Sequence, residues 1–268
     1  ERNMTILFLD IRSFSKISES LQPQEITTFL NIFLTPMTNI LQAGKATIDK
    51  YIGDAIVAFW NAPLDDEEHE KNAARCVLEM NRELARLNEM YEAQSEVKWP
   101  ENVSMGIGLN TGVCCVGNLG SEQRFSYSMI GDAANLASRI EGLTKQYKVS
   151  VLVGDETAKA LDDFACLEAD RIRVVGRVTP ETIHILIGDE TVADNDAYQS
   201  HKKTHDGFLE HYRSQDWGKA RQLLPQLKES GQEFGISGYY DVIASRMDNF
   251  ATEPPSEHWD GVFEATSK

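Results

Sequence analysis

One short stretch, ATIDKYIGDAIVAFW, limits the fold more than any other part of this sequence. Two runs rich in strand-forming residues, Ala46–Ile52 and Ala55–Trp60, flank the dipeptide Gly53-Asp54. Gly adopts positive φ freely and Asp tolerates tight turns, so the dipeptide predicts a β-hairpin with a carboxylate at its tip. That carboxylate either only solvates the turn or has a partner elsewhere in the chain that gives it a chemical role.

The order of the elements around this hairpin predicts the fold class. Met4–Asp10 is an apolar run that predicts a buried strand. The other predicted elements are a short helix at Ser13–Ser20, a helix from Pro23 to Gly44 that contains Pro36, a helix after LDDEEHE through about Tyr91, a second hairpin of Val103–Thr111 and Val113–Gly117, a polar excursion GSEQRFSYS, a helix at Gly131–Tyr147, and strands at Val149–Val153, Arg171–Val175 and Thr182–Ile187. This β-α-β-β-α-β order predicts an α+β fold, a ferredoxin-like split βαβ sandwich.

The composition changes after about Asp189, which predicts a first domain over residues 1–189 and a helical extension over residues 190–268. The extension is predicted to contain a polar linker, TVADNDAYQSHKKTHDG, then helices at Phe208–Ser214, Trp217–Ser230 and Tyr239–Asn249, and an extended, Pro-interrupted tail. Its segment DWGKARQLL resembles the second half of a tetratricopeptide-type helical pair. One partial repeat cannot bury its own apolar face, so we expect it to pack on the main domain or on a partner.

The overall charge and the cysteines restrict the class of partner and the compartment. A formal net charge of −16 opposes non-specific binding to nucleic acid or anionic membranes. The four cysteines include no C-x-x-C pair, and there is neither a signal peptide nor an apolar run of about 18 residues. We therefore expect a cytoplasmic fragment with reduced thiols. The chain opens directly into MTILFLD, which indicates a piece of a longer protein and leaves an upstream sensor domain or membrane anchor open.

Two carboxylates form the first candidate site. Asp10 ends a strand, and Asp54 lies at the tip of a hairpin that would neighbour that strand. Paired carboxylates at adjacent strand ends suit hard divalent ions such as Mg²⁺ or Mn²⁺, and two such ions are standard for displacement at phosphorus. The alternative for Asp10 is an N-cap of the helix that follows.

The segment SYSMIGDAANLASRIEG forms the second candidate site. Gly131 and Asp132 open a predicted helix on which Asn135 and Arg139, four residues apart, share one face. A guanidinium fork beside an amide suits a phosphate and a ribose. In the alternative, Arg139 pairs with Glu141 or another surface acid and Asn135 is simply exposed.

Lys50 is the third candidate. It lies midway along a half-buried predicted strand, where a Lys is costly unless it has a function or reaches solvent. Protection of an edge strand is one explanation. A hydrogen bond to the edge of a nucleotide base is the other.

These three segments together resemble the class III nucleotidyl cyclase catalytic domain. LFLDIRSFS looks like the first metal motif of that family, IDKYIGDAIVAFW looks like the second metal motif with the purine-selecting residue, and SYSMIGDAANLASRIEG looks like the ribose and transition-state helix. The resemblance covers about Met4–Gly188, so it implies a nucleotide cyclase fold. Three motifs in order at the proper spacing are far more specific than any one of them.

The resemblance implies a ligand set for the metal and the base. Asp10 and Asp54 would hold two Mg²⁺ or Mn²⁺ ions, and the carbonyl of Ile11 would complete one coordination shell. Lys50 occupies the purine-selecting position and is similar to adenylate cyclases, because its ammonium donates to N1 of adenine, whereas guanylate cyclases carry Glu there. Ser128 occupies the partner position, which resembles the subgroup with Thr or Ser, some of whose members respond to bicarbonate.

The resemblance also implies the phosphate contacts. Asn135 would orient the ribose and Arg139 would stabilise charge on the α-phosphate. For the terminal phosphates the family often has a Lys in a V-K-G-K-like strand, but here the matching run is RVVGRVTP, with Val175 at the first Lys. Arg177 occupies the second basic position and either takes over that role or is a solvated loop cation, and Arg173 is a weaker candidate.

The implied activity is that of an adenylate cyclase, which converts ATP to 3′,5′-cyclic AMP and pyrophosphate at composite sites of a homodimer. The segment NLGSEQRFSYS would be the arm that clasps the partner. Three alternatives remain: a catalytically weak or silent dimerisation module, for which Val175 is the only support, a guanylate cyclase, which Lys50 disfavours, and a palm-type polymerase or diguanylate cyclase, which would carry a second acid in the hairpin. Fold alone does not separate these alternatives.

Overall fold

The computed structural model describes residues 1–92, 97–173, 179–256 and 259–264. Its strands are β1 (Arg2–Ile11), β2 (Thr47–Ile52), β3 (Ala55–Trp60), β4 (Met105–Ser121), β5 (Arg124–Ile130), β6 (Val151–Gly154), β7 (Ala165–Arg173), β8 (Glu181–Gly188) and β9 (Val262–Glu264). Its helices are α1 (Phe14–Ser20), α2 (Pro23–Ala43), α3 (His69–Glu92), α4 (Asp132–Tyr147), α5 (Asp155–Ala160), α6 (Glu190–Ala193), α7 (Asp196–Arg213), α8 (Trp217–Glu233) and α9 (Ser237–Thr252). The predicted α+β class is confirmed.

A mixed sheet forms the centre of the fold. Its strand order is β2-β3-β1-β4-β6-β8-β7-β9, and β5 pairs with β4 outside this path. β1 lies between β3 and β4 and is antiparallel to both, with Leu9 opposite Ile56 and Asp10 opposite Gly106. The predicted hairpin is confirmed as β2–β3, and this register brings its turn beside the end of β1.

The second predicted hairpin, Val103–Thr111 with Val113–Gly117, is wrong because the chain does not turn at Gly112. β4 runs without interruption through the predicted turn, and Gly112 pairs in register with Met4 of β1. That glycine is required by packing, because a Cβ there would lie 2.8 Å from the side chain of Ala133 on α4. The chain reverses only after Ser121, and the predicted polar excursion returns as β5.

Helices cover both faces of the sheet and hold the strand ends in place. α2 and α3 bury their apolar faces on one side, through residues that include Phe29, Phe33, Met37, Val77, Met80 and Leu84. On the other side α4 lies so close to β4 that a Cβ on Gly108 would be 2.3 Å from the backbone nitrogen of Glu141. This contact fixes the height of α4 above the strand that pairs with Asp10.

The helices after residue 189 also pack on the sheet. A shared hydrophobic cluster joins residues of α4, β6, β7 and β8 with residues of α7, α8 and α9, among them Tyr147, Leu167, Ile183, Phe208, Leu227 and Ile243. The expectation that the repeat-like segment packs on the main domain is therefore confirmed for this chain.

The predicted polar linker is wrong, because most of it forms α7. Its buried face carries Tyr198, His201 and His205 at helical spacing. Burial lowers the pKa of both imidazoles, to about 4 for His205, so both are neutral near pH 7. Tyr240 Oη lies 2.9 Å from His205 Nδ1 and 2.8 Å from His201 Nε2, so the buried polar atoms have partners.

A buried ion pair ties the last helix to the sheet. Asp170 on β7 accepts hydrogen bonds from Arg246 Nη1 and from the hydroxyl of Tyr147, both at 2.5 Å. The guanidinium also lies 3.6 Å from the ring centre of Phe263 on β9, which pairs in parallel with β7. Part of the predicted extended tail is thus an edge strand. No helix in the described part of the chain is long and apolar enough to cross a bilayer.

Candidate active site

The tip of the β2–β3 hairpin presents a half-buried carboxylate to the end of β1. Gly53 adopts φ +64°, as the tight turn requires, and Asp54 follows it. The backbone N–H of Ile11 donates to Asp54 Oδ2 at 3.3 Å. The turn is therefore fixed against β1 by a contact between residues that are far apart in the sequence.

Asp10 and Asp54 are in direct contact. Burial, followed by a hydrogen bond with Asp10 and the charge of Asp10, raises the pKa of Asp54 to a net value of about 7, against two backbone hydrogen bonds that lower it. The raised pKa reflects the cost of placing a second negative charge beside Asp10 in a partly buried site. Asp10 belongs to β1 and Ser13 is the residue before α1, so the alternative in which Asp10 caps a helix is wrong.

Sequence reasoning missed a third carboxylate. Burial, and after it the charge of Asp10, raises the pKa of Glu141 to a net value of about 7, while the Arg12 guanidinium lowers it. Gly106 permits this approach, since a Cβ there would lie 2.9 Å from Glu141 Oε1. The signal in the sequence was helical spacing. Glu141 lies two residues after Arg139, so on a helix the two side chains point to opposite sides, and Glu141 points towards the sheet when Arg139 points to solvent.

The donor set fits a small divalent ion. Asp10, Asp54 and the Ile11 carbonyl offer only oxygen ligands, and a cation between two contacting acids offsets the repulsion between their charges. No group of three or more His, Cys, Asp or Glu side chains among the described residues has metal-binding geometry. The site therefore suits ions that take their remaining ligands from water and substrate phosphate, as Mg²⁺ does.

The predicted ribose and phosphate residues lie on the exposed face of α4. The helix begins at Asp132 after Gly131, as predicted, and both Asn135 and Arg139 point to solvent one turn apart. The alternative in which Arg139 pairs with Glu141 has no support, because the cation that acts on Glu141 is Arg12.

The predicted base-binding residues lie on two different strands, Lys50 on β2 of the hairpin and Ser128 on β5 of the predicted arm. Lys50 is exposed on β2, which is the edge strand of the sheet order, and its ammonium lies 3.3 Å from Asp49 Oδ2. Ser128 is buried on β5, opposite Gly117 of β4. Val175 and Arg177 lie outside the described residues. Arg173, the weaker phosphate candidate, bonds Glu264 at 2.8 Å.

The candidate residues lie on different elements of the fold. Asp10, Ile11 and Asp54 are together at one end of the sheet. Among the described residues, no hydrogen bond or ion pair joins Asn135 or Arg139 to that carboxylate pair. Asn135 and Arg139 are exposed, whereas Asp10 and Asp54 are partly buried and Ile11 is buried.

Comparison with known proteins assigns this arrangement to a class. Residues 1–188 match the family model described as the adenylate and guanylate cyclase catalytic domain. The chain belongs to this family, and the resemblance inferred from the three motifs is confirmed.

Relatives with a similar sequence include proteins named adenylate cyclase. An adenylate cyclase of Anabaena cylindrica is 36% identical over 176 residues, which cover 66% of this chain and 34% of that protein. Adenylate cyclase 1 of Rhizobium meliloti is 33% identical over 188 residues, which cover 70% of this chain and 28% of that protein. The chain therefore spans about a third of the length of these relatives.

Solved structures confirm the nucleotide cyclase fold. The adenylyl cyclase CyaB from P. aeruginosa matches with a TM-score of 0.64 at 30% identity, over 70% of this chain and 94% of that chain. The guanylyl cyclase Cya2 matches with a TM-score of 0.62 at 30% identity, over 70% of this chain and 93% of that chain. The matched fold thus occurs with both purine specificities, and the base-contacting residues must decide between them.

Proposed function

We propose that this chain is an adenylate cyclase, which converts ATP to 3′,5′-cyclic AMP and pyrophosphate. The observation that carries the proposal is the convergence of Asp10, at the end of β1, and Asp54, in the β2–β3 turn, into one pair of contacting carboxylates. In the reaction, the 3′-hydroxyl of ATP attacks its own α-phosphorus while the bond from that phosphorus to the bridging oxygen breaks and pyrophosphate leaves. The hydroxyl proton passes to water or to a substrate phosphate.

Asp10, Asp54 and the Ile11 carbonyl are the proposed ligands of two Mg²⁺ or Mn²⁺ ions. When bound, such ions lower the pKa of the 3′-hydroxyl and neutralise charge on the triphosphate. The carboxylates must be deprotonated to bind them, and because the pKa of Asp54 is raised to about 7, metal binding near neutral pH should release protons from Asp54.

The remaining residues bind and orient the nucleotide. Lys50 donates to N1 of adenine, and Ser128 accepts from the adenine amine. Asn135 orients the ribose, and Arg139, one helical turn away on α4, stabilises charge on the α-phosphate. Arg177 is proposed to contact the terminal phosphates in place of the lysine that the family often carries.

A second copy of the chain is the proposed partner. The carboxylate pair is one proposed half-site and the exposed face of α4 with Asn135 and Arg139 is the other, and two copies in a head-to-tail C₂ pair would join the carboxylates of one to α4 of the other. Exposed apolar side chains lie on the strands that would meet, namely Tyr51, Ile52, Val113, Leu119, Phe125 and Ile130. Monomeric proteins rarely expose such side chains in groups, which supports an interface there.

The parent protein is proposed to be cytoplasmic at this domain, where ATP is available, and to carry an upstream sensor. The relatives are about three times longer than their matched regions. A light-regulated bacterial adenylyl cyclase matches with a TM-score of 0.59 at 25% identity over 51% of that chain, which leaves room for a regulatory domain.

Guanylate cyclase is the second candidate, because Cya2 is as similar in sequence as CyaB. The Lys50 ammonium argues against it, since guanine presents a donor at N1 where adenine presents an acceptor. A catalytically silent module is the third, and the intact set of Asp10, Asp54, Asn135 and Arg139 argues against it.

The assay for this proposal measures both cyclic products. We expect the purified chain with Mn²⁺ or Mg²⁺ to form cyclic AMP from ATP at least about tenfold faster than cyclic GMP from GTP, which is the effect of roughly one discriminating hydrogen bond. Pyrophosphate should appear in equal amount. Faster formation of cyclic GMP would identify a guanylate cyclase, and no cyclic product from either nucleotide would favour the silent module.

A further inference from the structure

Asp49 is a buried carboxylate beside Lys50, and the proposed cyclase reaction gives it no role. The side chain of Asp49 is 2% exposed, whereas that of Lys50 is 50% exposed. Asp49 Oδ2 lies 3.3 Å from the Lys50 ammonium, and among the described residues Oδ1 accepts no hydrogen bond. Burial of an acid in this state is unfavourable, so a structural benefit to β2 does not explain it.

A β-bulge creates this contact. In a regular strand, Asp49 and Lys50 would point to opposite faces of the sheet. In β2, however, Ile48 pairs with Ala58 and Lys50 with the next residue, Val57, so Asp49 is an extra residue in the ladder. Bulges redirect side chains and are frequent near active sites. This one places a fixed acid behind an exposed amine.

We propose that Asp49 is a positioning residue for purine recognition, an inference that rests on the proposed function. The charge of Asp49, 3.3 Å from the Lys50 ammonium, holds that ammonium in place, and its N–H groups remain available to the base. A lysine side chain that is otherwise free loses rotamer entropy when it binds, and an anchored one loses less. The bulge therefore sets both the affinity for ATP and the preference for ATP over GTP.

The ion pair itself adds little to folding, because the Lys50 end is half exposed to solvent. Loss of the Asp49 charge should thus change nucleotide binding more than stability. The conservative test is Asp49→Asn, which keeps the shape and an acceptor oxygen. Asp49→Thr is a second variant, since Thr suits strands and retains a polar oxygen.

We expect Asp49→Asn to raise KM for ATP about tenfold with kcat changed by less than about twofold, because base contacts are equal in ground and transition states. The ATP-to-GTP preference should fall by a similar factor. In a Lys50→Ala background the same substitution should change KM by less than about twofold, since Asp49 acts through Lys50.

The chain offers a matched control at Asp66. This carboxylate is also buried and lies 3.2 Å from the ammonium of an exposed lysine, Lys45. Asp66→Asn should leave KM and the ATP-to-GTP preference unchanged, even if it lowers the melting temperature. An unchanged KM in both Asp49 variants, or an undiminished effect of Asp49→Asn without Lys50, would overturn the inference.

Binding of non-cyclisable 3′-deoxy-ATP and 3′-deoxy-GTP separates this inference from the proposed function. If the wild-type protein turns over ATP and the Asp49 variants have the same KM for ATP and the same affinities for the analogues, only the positioning role is overturned. If the wild-type protein binds the analogues but forms no cyclic AMP from ATP, the cyclase proposal is contradicted. The affinities of the Asp49 variants for the analogues still decide the role of Asp49. Wild-type protein that binds neither analogue overturns both.

Discussion

Asp54→Asn is expected to lower cyclic AMP formation at least about a thousandfold. The amide keeps the size of the side chain but removes one of the two charges on which a divalent ion depends, and such ions supply several kcal/mol of transition-state stabilisation. A cyclic nucleotide assay with saturating Mn²⁺ and ATP measures the loss. Activity near that of the wild type would remove Asp54 from the metal site.

The same variant should be at least as stable as the wild type at pH 8. Because the pKa of Asp54 is raised to about 7 in the folded state, its charge opposes folding, and this penalty appears as the pH rises from below 4 to above 7. The neutral amide of Asp54→Asn carries no charge that opposes folding. The melting temperature of the variant should therefore exceed that of the wild type at pH 8 and differ little from it at pH 4. Asp65→Asn, at an exposed acid, is the matched control and should change neither activity nor this pH dependence.

Mixing two inactive variants should restore activity. Arg139→Ala lacks the α-phosphate contact and Asp54→Ala lacks a metal ligand, so neither homodimer has an intact composite site. In an equimolar mixture about half of the dimers are mixed, and one of the two sites in each is intact, so activity should return to about a quarter of the wild-type value.

The control for this experiment combines two lesions in the same half-site. A mixture of Asp10→Ala and Asp54→Ala leaves every composite site without one carboxylate, and no activity should return. Recovery in this control, or no recovery with Arg139→Ala once mixed dimers are demonstrated by native mass spectrometry, would contradict a site shared between two copies.

Local signals in the sequence were enough for the parts of the fold that place the carboxylates. The Gly53-Asp54 turn, the apolar run of β1 and the helical spacing of α4 are each short-range patterns, and the structure contains all three. The motifs at those positions also identified the family. Their proposed roles follow from the resemblance and await the experiments above.

The features that the sequence analysis predicted wrongly or missed have one cause in common, because each of them depends on contacts between segments that are distant in the sequence. Gly112 signals a turn in isolation, yet it lies within β4 because α4 needs the space above it. His201 and His205 count as polar, yet their hydrogen bonds to Tyr240 allow α7 to bury them. Asp49 gains its contact with Lys50 only through the bulge against β3. No pattern within one segment reports such contacts.

The most direct test of the account is a crystal of this chain soaked with Mn²⁺ and 3′-deoxy-ATP, with the metal located by its anomalous scattering. We expect Mn²⁺ to be bound by the carboxylates of both Asp10 and Asp54, next to the triphosphate and with Arg139 of a second copy facing the α-phosphate. Carboxylates directed away from each other with no metal between them, in a crystal where the nucleotide is bound, would contradict it.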